Sequence, residues 1–453
     1  MLRTTAAVVA GKAARVASRL RGGGSALPGL VAERIDPGFL AHALADVPDG
    51  IVVVTGTNGK TTTTKMLVAV LRAHGRTVFS NPTGSNFTRG VISSMLGELP
   101  LRGRLDADLA VLELDEAHAL KFAAAVRPTH ALLLNVARDQ LDRFAEIDHT
   151  AQLLASLAEQ TTTGVVLNLD DSFVSRIRDR VADGVTVRYF GVDKSIADRL
   201  PELQEQDVRF EDDFVPPVAG PQDGLLKPSD ERTFEVVFGS DTAGSDTSGS
   251  DTAGSNTEGN GTVGPLELQQ RGLAAMINAT AATATARMLL GDAFDPAAAA
   301  EALRAVTPPF GRGEVVMVDG QPLELVLVKN PAGFTVALGT YGSTPVATMI
   351  AINDNYADGR DVSWLYDVSF ESLRARGVTI TSGVRGYDMA LRLQYDDVAV
   401  AAVETDLDAA LDSFLAQHPQ EPKRIFCTYT AMMALRRTLA ARYDLPDIGE
   451  EAS

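Results

Sequence analysis

The sequence predicts an α/β protein: a mostly parallel sheet with helices on both faces, followed by a smaller α/β domain. Three observations predict it. Short apolar runs at residues 50–55, 109–114, 131–134 and 164–168 read as buried strands, with helical spacing between them. The first run enters a glycine-containing turn and then a segment, 61–74, whose Met66, Leu67, Val70 and Leu71 share one helical face. The same alternation resumes beyond the paired prolines Pro308 and Pro309, which stop the preceding helix.

At 453 residues the chain exceeds one ordinary core and divides into domains. The expected boundaries are 1–49, an N-terminal helical segment; 50–305, the first α/β domain; and 306–453, the second. Residues 1–24 carry Arg3, Lys12, Arg15, Arg19 and Arg21 among alanines and valines, with no acid. That composition reads as a basic amphipathic helix. It lacks the long apolar core and cleavage site of a signal peptide. Such a helix either packs on its own protein or makes weak contact with an anionic membrane surface. No apolar run reads as a membrane span.

Further along, 233–238 and 266–268 read as strands separated by 240–264, a Ser/Thr/Asp/Gly repeat almost without apolar residues. Such a segment cannot bury enough surface to offset its ordering entropy, so a disordered insertion within a hairpin is expected. An alanine- and threonine-rich helix follows at 274–290. In the second domain, strands are expected at 323–328, 346–352 and 398–403, and helices at 334–338, 370–376, 387–393 and 407–416.

The net charge of −18 argues against general nucleic-acid binding, so any phosphate ligand needs a locally built positive site. The one cysteine, Cys427, rules out an intrachain disulfide and a cysteine-based zinc cluster, and suits a reducing cytoplasm. It reads as a buried structural thiol.

The strongest motif is Thr55-Gly-Thr-Asn-Gly-Lys-Thr-Thr62. Gly56 and Gly59 let the backbone turn tightly around an anion. The N–H groups of Thr57, Asn58 and Thr62 belong to the turn and the helix start that would face phosphates. Lys60 can bridge terminal phosphates, and the Thr61 hydroxyl can ligate Mg²⁺. Val54 stands where the general phosphate-loop pattern has its first glycine. A second motif, Leu112-Glu-Leu-Asp-Glu-Ala-His118, places Glu113 and, less directly, Glu116 at the end of an apolar strand, where oxygen ligands for Mg²⁺ belong.

The shortened Gly-Thr-Asn-Gly-Lys-Thr loop resembles that of the Mur ligases. The resemblance implies a central ATP-binding domain in which ATP phosphorylates a substrate carboxylate and an amine attacks the acyl phosphate. On the same resemblance, Glu113 matches the magnesium-binding glutamate, Asn168-Leu-Asp-Asp-Ser172 the family's turn after a strand, and Arg312 of Gly311-Arg-Gly-Glu314 an arginine that reaches the ATP phosphates across the cleft. Asn135-Val-Ala-Arg-Asp-Gln-Leu-Asp-Arg-Phe144 is similar to another family segment, but Gln140 replaces its usual histidine, and no lysine lies between Lys121 and Lys194 to serve as the carbamoylated lysine of the amino-acid-adding members.

Those departures point to the MurT branch, the synthetase subunits of lipid II isoglutaminyl synthase. Lys329-Asn-Pro-Ala-Gly333, Asn353-Asp-Asn-Tyr-Ala-Asp-Gly-Arg-Asp-Val-Ser-Trp364 and Cys427-Thr-Tyr-Thr430 closely resemble its C-terminal domain, and Ala10-Gly-Lys-Ala-Ala14 and Leu27-Pro-Gly29 its N-terminus. The resemblance implies ATP-dependent amidation of the D-glutamate α-carboxylate in the lipid II stem peptide. It also implies a glutaminase partner of the GatD type, whose Cys–His site is completed by a carboxylate, here Asp361. Asp354 and Asp358 are the weaker candidates for that role. Many MurT proteins carry a four-cysteine zinc ribbon; with no cysteine in that region, no zinc is expected here. The alternatives are an amino-acid-adding ligase of the Mur or folylpolyglutamate type, or a nucleotide-binding scaffold without catalysis.

Overall fold

A computed structural model of the chain describes residues 2–20, 26–81, 87–137, 147–193, 217–230, 232–239, 261–309, 311–341, 346–443 and 445, the side chains of 19 and 20 excepted. Two sheets organise it. The first has nine strands: β1 (Ile51–Thr55), β2 (Val78–Ser80), β3 (Leu109–Glu113), β4 (His130–Leu133), β5 (Gly164–Asn168), β6 (Thr186–Val192), β7 (Gly224–Pro228), β8 (Thr233–Phe238) and β9 (Thr262–Glu267). Their order is β2-β3-β1-β4-β5-β6-β7-β8-β9. Pairing is parallel from β2 to β7, and β8 and β9 finish the sheet antiparallel. From β1 the chain runs to β2 and β3 on one side and then crosses to β4 on the other, so the crevice at the carboxyl end of β1 is a topological switch point.

The central strands are buried on both faces, which is why they read as continuous apolar runs. Ile51 and Val53 face one core; Val52 and Val54 face the other. Helices α1 (Leu2–Leu20), α2 (Ala26–Ile35) and α3 (Phe39–Leu44) reach the first core through Ala7, Val8, Ala32 and Phe39, with α5 (Thr88–Glu98) beside them. On the other face, α4 (Lys60–Ala73) packs with the helix Leu273–Leu290. That second helix is apolar and long enough by composition to span a bilayer, which the sequence reading did not register. Here it is a core helix: Ala279, Thr280, Ala281, Ala282 and Thr283 are fully buried, and the Thr280 and Thr283 hydroxyls donate back to the carbonyls of Met276 and Ala279.

The second sheet contains β10 (Arg312–Val318), β11 (Gln321–Leu327), β12 (Ala347–Ala351), β13 (Val378–Ser382), β14 (Val400–Glu404) and β15 (Lys423–Cys427), in the order β10-β11-β15-β12-β13-β14. All neighbours except β10 and β11 run parallel. Consequently the segments after β11, β12 and β15 emerge at one edge of the sheet.

Two expectations need correction. The insertion expected over 240–264 ends earlier, because Thr262, Val263 and Gly264 belong to β9, where Val263 is fully buried against Val236 of β8. Residues 240–260 lie outside the described residues. The helix expected at 370–376 is only a single 3₁₀ turn, Glu371–Leu373. Asp396 captures the segment from both ends. Its carboxylate accepts from the Phe370 N–H at 2.6 Å and its carbonyl from Arg374 Nε at 2.6 Å.

Candidate functional site

The turn after β1 takes its shape from its two glycines. Gly59 caps α4 at φ +87, in the left-handed region that favours glycine, and a Cβ there would sit 2.4 Å from Asn278 Oδ1. Gly56, at φ +134, lies against the backbone of Asn135. Asn135 then clamps the loop. Its Oδ1 accepts from Asn58 N at 2.8 Å, its Nδ2 donates to Asn58 O at 3.0 Å, and its carbonyl accepts from Thr57 N at 3.0 Å. Thr57 Oγ1 adds a reciprocal pair with the Ala137 backbone. The loop is thus fixed to the end of β4 through Asn135, a role that its sequence context does not reveal.

Lys60 is buried in the curl of this loop. Its ammonium donates to Gly56 O at 2.5 Å and Thr57 O at 3.3 Å, and meets Glu116 Oε1 at 3.5 Å. Thr61 Oγ1 donates to Glu113 Oε1 at 2.9 Å, so the two expected magnesium ligands are adjacent. Glu113 ends β3, and Asn81 grips its backbone N–H and C=O at 2.9 Å each. Burial pushes the Glu113 carboxyl above its ordinary range, against the opposing pull of Lys60, Thr61, Arg312 and Lys329. A buried carboxylate beside a hydroxyl is an oxygen donor pair that suits Mg²⁺. Glu116 is turned to Lys60 instead.

The Asn168–Asp171 turn braces this frame. Asn168 Nδ2 donates to Leu134 O, and Asp171 accepts from the N–H groups of Val136, Phe173 and Val174. Burial raises both Asp170 and Asp171 to about 6.

The second sheet closes the site from across the cleft. Lys329 and Asn330 follow β11; Lys329 Nζ lies 3.4 Å from Thr57 O, and Asn330 Nδ2 donates to Asn58 Oδ1 at 3.0 Å. Asn330 also accepts from Gly333 N at 2.7 Å, which fixes its amide. Arg312, expected in a turn, opens β10 and lines the same cleft as Gly59, Thr62, Asn278 and Lys329. Glu314 in its strand is held by Arg436, a pair buried at 3.0 Å. Gln270 also lines the cleft, and its Oε1 is buried without a hydrogen-bond partner among the described residues. Lys329, Asn330, Asn278 and Gln270 were not singled out as site residues from sequence. The available signal was the position of Lys329 directly after an apolar strand.

Asp361 is not among the residues lining the cleft. It sits in the loop after β12, exposed, with Oδ1 accepting from Ser363 N at 2.8 Å. Hydrogen bonds from the Ser363 side chain and backbone hold its carboxyl below the ordinary range. The alternatives are engaged internally. Asp354 pairs with Arg385 at 2.8 Å, and buried Asp358 accepts from the Thr430 N–H at 2.7 Å. Cys427 is fully buried, and burial pushes its thiol up. The segment holding Gln140 lies outside the described residues.

Two family models match the chain: the Mur ligase middle domain over residues 54–217 and the MurT ligase C-terminal domain over residues 327–432. The lipid II isoglutaminyl synthase (glutamine-hydrolyzing) subunit MurT of Streptococcus pneumoniae is 30% identical over 97% of this chain and 98% of its own. Its namesake from Staphylococcus aureus is 29% identical over 90% of this chain and 91% of its own. Among solved structures, the MurF ligase of Thermotoga maritima in complex with ADP shares the fold. Its TM-score is 0.60 at 16% identity, covering 91% of this chain and 83% of that one. The phosphate loop on a parallel switch-point strand, the second sheet across the cleft and the full-length likeness agree: the chain belongs to the MurT family of Mur ligases.

Proposed function

We propose that this chain is the synthetase subunit of a two-protein amidotransferase acting on lipid II. It uses ATP to activate the α-carboxylate of D-glutamate in the stem peptide, and ammonia from a GatD-type glutaminase converts that carboxylate to the amide, giving D-isoglutamine. The observation that carries the reading is the convergence of Lys60 and the Thr61–Glu113 pair with Arg312 and Lys329 from the opposite sheet.

The chemistry runs in two steps. A substrate carboxylate oxygen attacks the terminal phosphorus of ATP, and the bond to ADP breaks. Ammonia then attacks the acyl carbon, a proton leaves the nitrogen, and inorganic phosphate departs with the C–O electron pair. Charge builds on the phosphoryl oxygens in the first step and on the acyl oxygen in the second. Lys60, Arg312 and Lys329 supply fixed positive charge for this, and the loop N–H groups orient the phosphates. Thr61 and Glu113 would hold magnesium, which would supply positive charge against that of the phosphates. Asp361 would orient the partner's histidine and stabilise its imidazolium form. Its exposure and its lowered pKa support an ionised group offered to a partner. The buried Cys427 is no nucleophile, so the nitrogen comes from outside the chain. A cytoplasmic location, where ATP and glutamine are available, belongs to the same proposal.

The test is a mass-spectrometric assay with the chain, ATP, Mg²⁺ and a lipid II-type acceptor, given ammonium or glutamine, with and without the glutaminase. The expected product is lighter by about one mass unit, as OH is replaced by NH₂, and glutamine works only with the partner present. Addition of an amino acid instead would install the amino-acid-adding reading. No ATP turnover with all components present would leave a scaffold.

A further inference from the structure

Helix α1 is apolar on two faces, one buried and one exposed. Towards the body of the protein it turns Thr4, Ala7, Val8, Gly11 and Ser18, all buried. Gly11 brings α1 close to α5 there: a Cβ would come within 2.6 Å of the Leu96 side chain and displace it. Outward it turns Leu2, Ala6, Val9, Ala13 and Val16, which recur at intervals of three and four residues and form one stripe. Leu2 is 91% exposed, Val9 52% and Val16 60%. A helix whose only apolar contact is its own protein does the opposite, with polar residues outermost. Here Thr4 and Ser18 are buried beside Ala7 and Val8, while Leu2, Val9 and Val16 face out.

The charges beside the stripe identify its occupant. In a chain of net charge −18, α1 contains no acid. Arg3 lies on one border of the stripe and Lys12 on the other. Each of the nearby acids has a cationic or polar partner. Asp36 is buried with His42 and Thr4 as its partners, and Glu98 is drawn towards Arg15 and Arg72. The loop carrying Gly103, which abuts Thr4 and Val8, contributes exposed Leu101, and its exposed Arg102 is paired with exposed Asp106 at 3.5 Å. A second copy of this helix would bring only like charges to the borders. The glutaminase is proposed to sit at the Asp361 loop of the other sheet.

We propose that the outward face of α1 docks on an anionic lipid bilayer, lying in the plane of the headgroups with the Leu2–Val9–Val16 stripe inserted and Arg3 and Lys12 at the phosphates. The small side chains make the contact shallow and reversible, and the cations make it sensitive to lipid charge and salt. Contact of this kind keeps the enzyme at the surface where a lipid-linked acceptor resides. It does not depend on the identity of that acceptor.

The experiment is co-sedimentation of the full-length chain with vesicles of phosphatidylcholine alone or mixed with phosphatidylglycerol, at low and high salt. Binding is expected only with the anionic lipid and is lost at high salt. Val9→Glu with Val16→Glu should weaken it at least about twentyfold, counting roughly fivefold per charge near the surface. Both positions are exposed, so the melting temperature should stay unchanged. Arg3→Glu with Lys12→Glu alters charge alone and should weaken binding similarly. Absence of binding to anionic vesicles would overturn the proposal, as would equal binding by the wild type and both double variants. So would a solution dimer of the wild type that Val9→Glu with Val16→Glu dissociates. Since the readout is vesicle binding, failure of the amidation reading would not mimic any of these outcomes.

Discussion

Lys60 is held in the described structure by the same loop that would hold phosphate, its ammonium bonded to Gly56 O and Thr57 O. Exchanging those carbonyls for phosphate oxygens moves the cation by little. Lys60→Ala should therefore reduce ATP-dependent amidation by at least about a hundredfold, while pull-down of the glutaminase is unaffected. Asn135 acts at one remove. Asn135→Ala removes two side-chain bonds to Asn58, a loss of about 1–3 kcal/mol in loop order. The expected result is a KM for ATP raised about tenfold or more, with the melting temperature little changed. A kcat loss at constant KM would reject the clamp. His130 offers a pH test. Burial lowers its pKa from 6.5 to about 4, so the folded state keeps it neutral where the unfolded chain binds a proton. Its contribution to stability is lost as pH falls from about 6.5 towards 4. His130→Gln should flatten that limb of a melting-temperature profile relative to wild type. The phosphate loop was legible in sequence because Gly56 to Thr62 are contiguous. Lys329, Asn330 and Asn278 were not, because only folding brings three distant segments to one loop.

Strands betrayed themselves by apolar runs where the residues buried on both faces are apolar, as in β1, β3 and β5. β15 escaped for the opposite reason. This inner strand opens with Lys423 and Arg424, which read as surface. The fold buries both: Arg424 pairs with Glu324 at 2.8 Å, and its guanidinium lies 5.3 Å from the centre of the Tyr341 ring. Charge patterning alone cannot reveal that, since the partner is about a hundred residues away in sequence. The turn at Glu371–Leu373 misled because Phe370 and Leu373 carry helical spacing, while Asp396 binds the Phe370 N–H and the Arg374 side chain and the segment closes only a short turn of its own. The β8–β9 pair makes a prediction at this scale. Val237 lies opposite Thr262, so the strand ends are already neighbours. Replacing residues 240–260 with a short Gly/Ser turn should stabilise the protein by about 1 kcal/mol through loop entropy alone, measured by urea unfolding. A loss of stability would mean that the insertion packs.

The whole molecule sets two sheets on opposite sides of one cleft, and the second sheet has parallel strands whose exits share an edge. Lys329 leaves that edge after β11, and the Asn353–Asp361 loop leaves it after β12, with β15 between. At the scale of the assembly, Asp361→Asn should lower glutamine-driven amidation far more than ammonia-driven amidation, since its proposed role is exerted through the partner's histidine. Equal losses with both nitrogen sources would reject that role. The shared edge has a further consequence. On the proposed function, a nucleotide at Lys329 and a glutaminase on the Asp361 loop would load the same short stretch of β11, β15 and β12, with strand exits only ~10 Å apart. Their affinities are then bound by reciprocity: the factor by which one occupant tightens the other is returned in full. Titrating the glutaminase into the nucleotide-loaded chain would therefore read out, in its shifted isotherm, how strongly nitrogen supply and phosphate activation are tied together.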